Sequence, residues 1–139
     1  SAGHYRLSRI NLVTKAEQAS LARVGVTTTK SLLAAVATPR LRRSLAKRTR
    51  LKRARLIRLA TQCDLLRVRG VGPSIARLLQ AAKIVHTGDL KRLSGAAVLA
   101  KLKAANSLHR LVRVLPGRPA VDGWVRQARG LKKVLEGIR

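Results

Sequence analysis

Two groups of residues in this chain have types and spacings suited to chemistry, and both suit anions. The first is the corner Gly70-Val71-Gly72-Pro73. Two glycines around one valine permit a tight turn with no Cβ to hold a ligand away. Pro73 is preset for the first turn of a helix, so the corner opens onto a helix start. Unpaired amides and the helix dipole would meet an anion there. Pro73 has no N–H, so Gly72, Ser74 and Ile75 are the expected donors, with Arg67, Arg69 and Arg77 flanking them. The second group is the stretch 40–58, which holds Arg40, Arg42, Arg43, Lys47, Arg48, Arg50, Lys52, Arg53, Arg55 and Arg58 without one acidic residue. A solvated helix face ordinarily carries both signs. Charges of a single sign are better explained by phosphate binding, so these ten residues join the corner in the expected nucleic-acid-binding set.

From Leu65 to Leu79 the chain resembles the helix-hairpin-helix motif. That pattern is apolar-x-x-apolar-x-Gly-apolar-Gly-x-x-x-Ala-x-x-apolar, and here it reads Leu65, Val68, Gly70, Val71, Gly72, Ala76 and Leu79. Val71 would pin the corner to the core, and Ala76 would let two helices approach. Such a corner holds backbone phosphate rather than reading bases, so no sequence specificity is expected. A corner whose glycines serve packing alone remains the competing reading. A dinucleotide fold is disfavoured, because Ala76 stands where the third glycine would be and no βαβ alternation surrounds it.

Charge points the same way. The chain has 31 Lys and Arg against 5 Asp and Glu, a formal net charge of +26. Self-repulsion on that scale opposes compaction unless polyanions neutralise it. Arg outnumbers Lys, and its planar fork bridges phosphates and stacks on bases, which tilts the expectation towards structured RNA. No apolar run is long enough to span a bilayer.

The same residues argue against catalysis. Glu17, Asp64, Asp89, Asp122 and Glu136 are dispersed, whereas metal-dependent nucleases need clustered carboxylates. His4, His86 and His109 show no ligand spacing with Cys63, so neither metal nor cofactor is expected. A lysine Schiff base is the least unfavourable enzymatic idea, yet no lysine is marked as desolvated. Cys63 is alone, which excludes an internal disulfide, fits a reducing compartment and suits a small core residue.

These groups need a helical scaffold. With 46% apolar residues but no Phe, no Met, one Trp and one Tyr, the core must be built of Leu, Val, Ile and Ala. The expected fold is all-α: a basic N-terminal arm at 1–13 and a single helical domain over 14–139. Thr14 with Glu17 reads as a capping box, and Gly25 as a stop. Thr27-Thr28 starts a second helix with Leu32, Leu33 and Val36 inward. Pro39 opens a third, leading into a basic helix over 40–59. A helix from Pro73 ends near Lys83. Thr87 caps a short helix to Leu93, Gly95 breaks the chain, and helices follow at 97–105 and 107–114. A last helix covers about 119–136, with Val121, Trp124, Val125, Ala128, Leu131, Val134, Leu135 and Ile138 in helical register and Trp124 as its core anchor.

A shift of 58 residues sets Leu7 on Leu65, Ile10 on Val68, Val13 on Val71, Leu21 on Leu79, Val26 on Ile84 and Thr29 on Thr87. The expectation is two copies of one hairpin unit, at about 7–36 and 65–94. In the first copy Leu12 and Thr14 replace the corner glycines.

Residues from about 7 to 130 also resemble a bacterial and plastid-associated family of unknown function, DUF4332, taken to be built on helix-hairpin-helix units. The likeness rests on Leu21 to Leu33, Ala60 to Leu79, Leu99 to Asn106, Leu115-Pro116, and Val121 to Ala128 around Trp124. It implies a fold and no activity. The resulting functional expectation is a non-enzymatic, sequence-independent binder of nucleic-acid backbone. An rRNA-binding subunit of a ribosome or organellar ribosome, beside neighbouring ribonucleoprotein subunits and away from membranes, is favoured. Non-specific duplex DNA binding of nucleoid or repair type is second. The start at Ser1 and the lack of Met suggest processing, so a mitochondrion or plastid is favoured over bacterial cytoplasm.

Overall fold

The computed structural model describes residues 4–138 and, among them, eight α-helices, one short 3-10 helix and no strand. The helices are α1 (Lys15–Ala22), α2 (Thr29–Ala35), α3 (Pro39–Thr49), α4 (Arg53–Leu65), α5 (Pro73–Ala81), α6 (Thr87–Leu90), α7 (Gly95–His109) and α8 (Arg118–Gly130). α4 is the centre: α2, α3 and α5 pack on it, α5 leads to α7, and α8 closes over α7 and α6. The buried cluster is dominated by leucine, including Leu21, Leu32, Leu45, Leu56, Leu65 and Leu79. Trp124 joins it at 4% exposure, the core anchor expected of it.

Local signals explain most helix starts. Thr14 Oγ1 accepts from the Glu17 amide, and Glu17 Oε1 accepts from the Thr14 amide, completing the capping box. Thr28, Thr38 and Ser94 cap α2, α3 and α7 in the same way through their hydroxyls. Gly25 ends the α1 unit at φ +83°, where a glycine is free of Cβ strain.

Several expectations are corrected by tertiary contacts. Residues 1–3 of the expected basic arm lie outside the described residues; the part from Tyr5 onward is knitted into the body. Thr29 N–H donates to Tyr5 O at 2.8 Å, Leu7 N–H to Thr27 O at 2.9 Å, and Leu7 and Leu12 are buried. The basic stretch is not one helix over 40–59. It breaks at Arg50, which adopts the left-handed φ of 63°, and restarts as α4. The short helix at 87 is capped by His86, whose Nδ1 accepts from the Gly88 amide, because Thr87 is turned inward to Asp64.

Gly95 begins α7 rather than breaking the chain. A Cβ there would collide with the Asp122 carboxylate of α8, so glycine serves close helix packing. α7 then absorbs the front of the expected 107–114 helix and stops at Arg110. Asn106 enforces the stop by gripping the Val112 backbone through both its amide N and O, each at 3.0 Å.

The last helix ends at Gly130 instead of 136. Leu131 to Ile138 form a strap across the body, whose hydrogen bonds replace the helical ones. Glu136 N–H donates to Ala37 O at 2.7 Å, and Arg67 Nη2 donates to Lys132 O at 2.8 Å. Leu135 stays buried, so its side chain reaches the core from a non-helical strap instead of a helix.

The 58-residue shift has local counterparts in the backbone. Thr14 and Gly72 are both N-caps, Thr28 and His86 are both N-caps, and Thr29 and Thr87 are both buried. Val26 N–H donates to Leu21 O and Ile84 N–H to Leu79 O, each at 2.9 Å. Gly25 and Lys83 both hold positive φ.

Candidate nucleic-acid interface

The α3–α4 elbow sorts the ten expected cations into two kinds. Arg42 is 3% exposed and faces inward. Its Nη1 donates to Val36 O at 2.8 Å and its Nη2 to Glu136 O at 2.7 Å. Burial, with Arg53 nearby, lowers its pKa. Arg55 is a second committed cation, half-buried. It meets Glu17 through Nε at 2.7 Å and Nη2 at 2.9 Å, and reaches Leu12 O. That pair and the Thr14 amide hold the Glu17 carboxyl at a pKa of about 2. These two arginines fasten elements of the fold together, so they leave the set free to meet a phosphate.

The other eight, Arg40, Arg43, Lys47, Arg48, Arg50, Lys52, Arg53 and Arg58, are exposed. Among the described residues none of them makes an ion pair. Arg40, Arg43 and Lys47 recur at helical spacing and share one side of α3. Arg50, Lys52 and Arg53 continue the positive surface around the break. The left-handed residue at Arg50 ends α3 and turns the chain into α4, so the cations lie along a bend rather than a rod.

The corner between α4 and α5 is built from below. Val68 and Val71 are fully buried and anchor it. Gly70 has φ +93°, and a Cβ on it would stand 2.9 Å from Trp124 Nε1. This glycine is therefore needed both for its dihedral and for the indole of α8. Gly72 differs: its φ is −90° and a Cβ there would meet no atom within 4 Å. Gly72 caps α5 without any side-chain acceptor, whereas Thr14, Thr28, Thr38 and Ser94 supply one to their helices. The Gly72, Ser74 and Ile75 amides consequently have no partner among the described residues.

The three flanking arginines divide as well. Arg69 is exposed, and its backbone is clamped by Gln127 of α8. Arg77 is half-buried and donates to Asn11 O at 3.1 Å. Arg67 is committed to Asp64 at 2.7 Å and to the C-terminal strap. Asp64 in turn accepts from both the amide and the hydroxyl of Thr87, at 2.8 and 2.7 Å, linking α4 to α6. Trp124, Gln127 and Asp64 were not in the expected site. Only their position in space reveals that two of them shape the corner and the third occupies one of its arginines.

Over most of its length the sequence matches a defined family, the Domain of unknown function (DUF4332), across residues 11–131. The chain belongs to the DUF4332 family. No curated protein and no solved structure matches it. In this DUF4332 chain the described residues include no group of three or more His, Cys, Asp or Glu able to hold a metal ion. Cys63 is fully buried in the core, and burial pushes its thiol up to about 12. Among the described residues no helix is long and apolar enough to cross a membrane.

Proposed function

We propose that this DUF4332 chain binds the sugar-phosphate backbone of nucleic acid without reading base sequence. The observation that carries this reading is the α3–α4 elbow, with eight exposed cations that have no acidic partner among the described residues. Exposed like charges at helical spacing destabilise one another. A polyanion laid along the elbow removes that repulsion and releases counterions. The corner at Gly70-Val71-Gly72 acts as a helix-hairpin-helix element beside it. Open amides of Gly72, Ser74 and Ile75 face a phosphate, with Arg69 and Arg77 at its edge.

The favoured partner is structured RNA, with the chain as a non-catalytic rRNA-binding subunit of a ribosome or organellar ribosome. The Arg bias supports this. A mitochondrion or plastid is the favoured location, bacterial cytoplasm the second. A second reading, non-specific duplex DNA binding, draws on the paired backbone features 58 residues apart. Two related hairpins would suit the two strands of a duplex.

Salt dependence tests the shared claim. Affinity for an RNA hairpin should fall steeply as salt rises. Replacing Arg43, Arg48, Arg50 and Arg53 together with Gln should reduce the slope of log K against log salt by about 3. A flat salt dependence in the unaltered chain refutes backbone binding. Release from cell extract separates the two partners: RNase should free the protein from ribosomal particles, and release by DNase alone favours the duplex reading.

A further inference from the structure

Beyond the elbow and the corner, the end of α7 and the loop after it place aliphatic side chains in water. Val114 is 83% exposed, Leu108 77% and Leu111 39%. Among the described residues the other large apolar side chains open to solvent are Leu41 on α3 and Ile57 on α4. The three at 108–114 are held on a fixed base. Asn106 grips Val112 at both backbone atoms, and Arg110 N–H donates to Asn106 O at 2.8 Å. Val112 and Leu115 pack against the core. The apolar points thus project from a preorganised bend, which lowers the ordering cost of a contact.

Charge indicates the kind of contact. Residues 90–121 contain no acidic residue, and Arg110 and Arg113, which alternate with Leu108, Leu111 and Val114 along the chain, are exposed, as are Lys101 and Lys103 on α7. Among the described residues none of these four makes an ion pair. A second copy of the chain would bring the same sign, and like charges facing each other oppose docking. Surface helices that bury in lipid carry a long apolar face of Trp, Phe and Leu; this projection offers three aliphatic points on a short bend. A nucleic acid supplies both complements at once. Its phosphates take arginines, and an opened base step takes an apolar wedge.

Resting on the nucleic-acid reading above, we propose that Leu108, Leu111 and Val114 form a wedge that enters an unstacked base step, with Arg110 and Arg113 on the flanking phosphates. A wedge of this kind favours sites where the stack is already open, because opening it is costly. It also gives the chain a preference for nucleic-acid shape, such as a bulge, without any base-edge hydrogen bond.

The test uses the full chain and two RNA hairpins, one perfect and one with a single-base bulge, each carrying 2-aminopurine at the same step. The bulged hairpin should bind about tenfold tighter, and its 2-aminopurine emission should rise on binding. Leu108→Ser with Val114→Ser should abolish both effects and keep affinity for the perfect hairpin within about twofold. Both side chains are mostly solvated, and an unchanged circular-dichroism melt verifies the fold. Equal binding to both hairpins with unaltered emission overturns the wedge and leaves backbone binding standing. A serine variant that keeps the preference overturns it too. No binding to either hairpin at low salt removes the wedge together with the function it rests on. Phosphatidylserine vesicles provide the remaining arm: co-sedimentation lost in the serine variant, with no emission change on RNA, makes the projection a lipid contact instead.

Discussion

Arg69 and Gln127 are locked backbone to side chain. The Arg69 amide donates to Gln127 Oε1 at 2.8 Å, and Gln127 Nε2 donates back to Arg69 O at 3.0 Å. One side chain of α8 therefore satisfies both polar groups of a residue in the α4–α5 corner. Beside it Trp124 lies against Gly70. The corner is held from one side by α8, which leaves the Gly72 side open.

That asymmetry separates the two glycines. Gly70→Ala should destabilise the fold by roughly 2 kcal/mol, since it forces a Cβ into positive φ and against the indole. Gln127→Ala should cost about 1 kcal/mol for its lost hydrogen bonds. Gly72→Ala should leave stability nearly unchanged, and Gly72→Glu should weaken nucleic-acid binding by placing negative charge before the amides. Urea titrations followed by Trp124 fluorescence, paired with RNA binding, check all four. Full affinity in Gly72→Glu would reduce the corner to a packing element.

Arg42 and Arg43 are neighbours in sequence with opposite roles. Arg42→Ala removes a buried fork from two carbonyls and should cost about 3 kcal/mol. Lys at the same place should not restore it, because one ammonium does not reproduce the fork. Arg43→Ala should change stability by no more than about 0.5 kcal/mol. Its effect should appear in affinity for RNA instead. Equal melting temperatures for the two variants at fixed ionic strength would contradict the assignment.

Acid should weaken the fold through Glu17. Its carboxyl is lowered from 4.5 to about 2 by the hydrogen bonds from Arg55 and the Thr14 amide. A depressed carboxylate stabilises the fold fully above its unfolded pKa. That contribution fades as pH falls from 4.5 towards about 2, where the folded-state group takes up its proton. Chemical denaturation between those pH values should show a decline that Glu17→Gln flattens. An identical decline in the variant would place the acid sensitivity elsewhere.

Short-range chemistry was legible along the chain. Thr14 with Glu17, Thr28, and Pro39 mark helix starts because their signals act over one turn. Leu and Val spacing found the core, since burial follows from apolar character whatever conformation achieves it. Trp124 was found for the same reason. The strap at 131–138 shows the limit of that logic. Leu131, Val134, Leu135 and Ile138 fit a helix equally well, yet hydrogen bonds among Arg42, Glu136 and Ala37, and from Arg67 to Lys132, select an extended run.

The sequence by itself determined that this would be a leucine-cored helical protein with an excess of positive charge and a tight glycine corner. Composition and local dihedral preference act on each residue where it stands. Tertiary structure alone decided which cations remain available. Arg42, Arg55 and Arg67 look like their neighbours in the chain, but each donates to a carbonyl or carboxylate brought from a distant segment, Glu136 O for Arg42. A charge is committed or free according to what folding places within hydrogen-bond reach, and that distance is not written in the order of the residues.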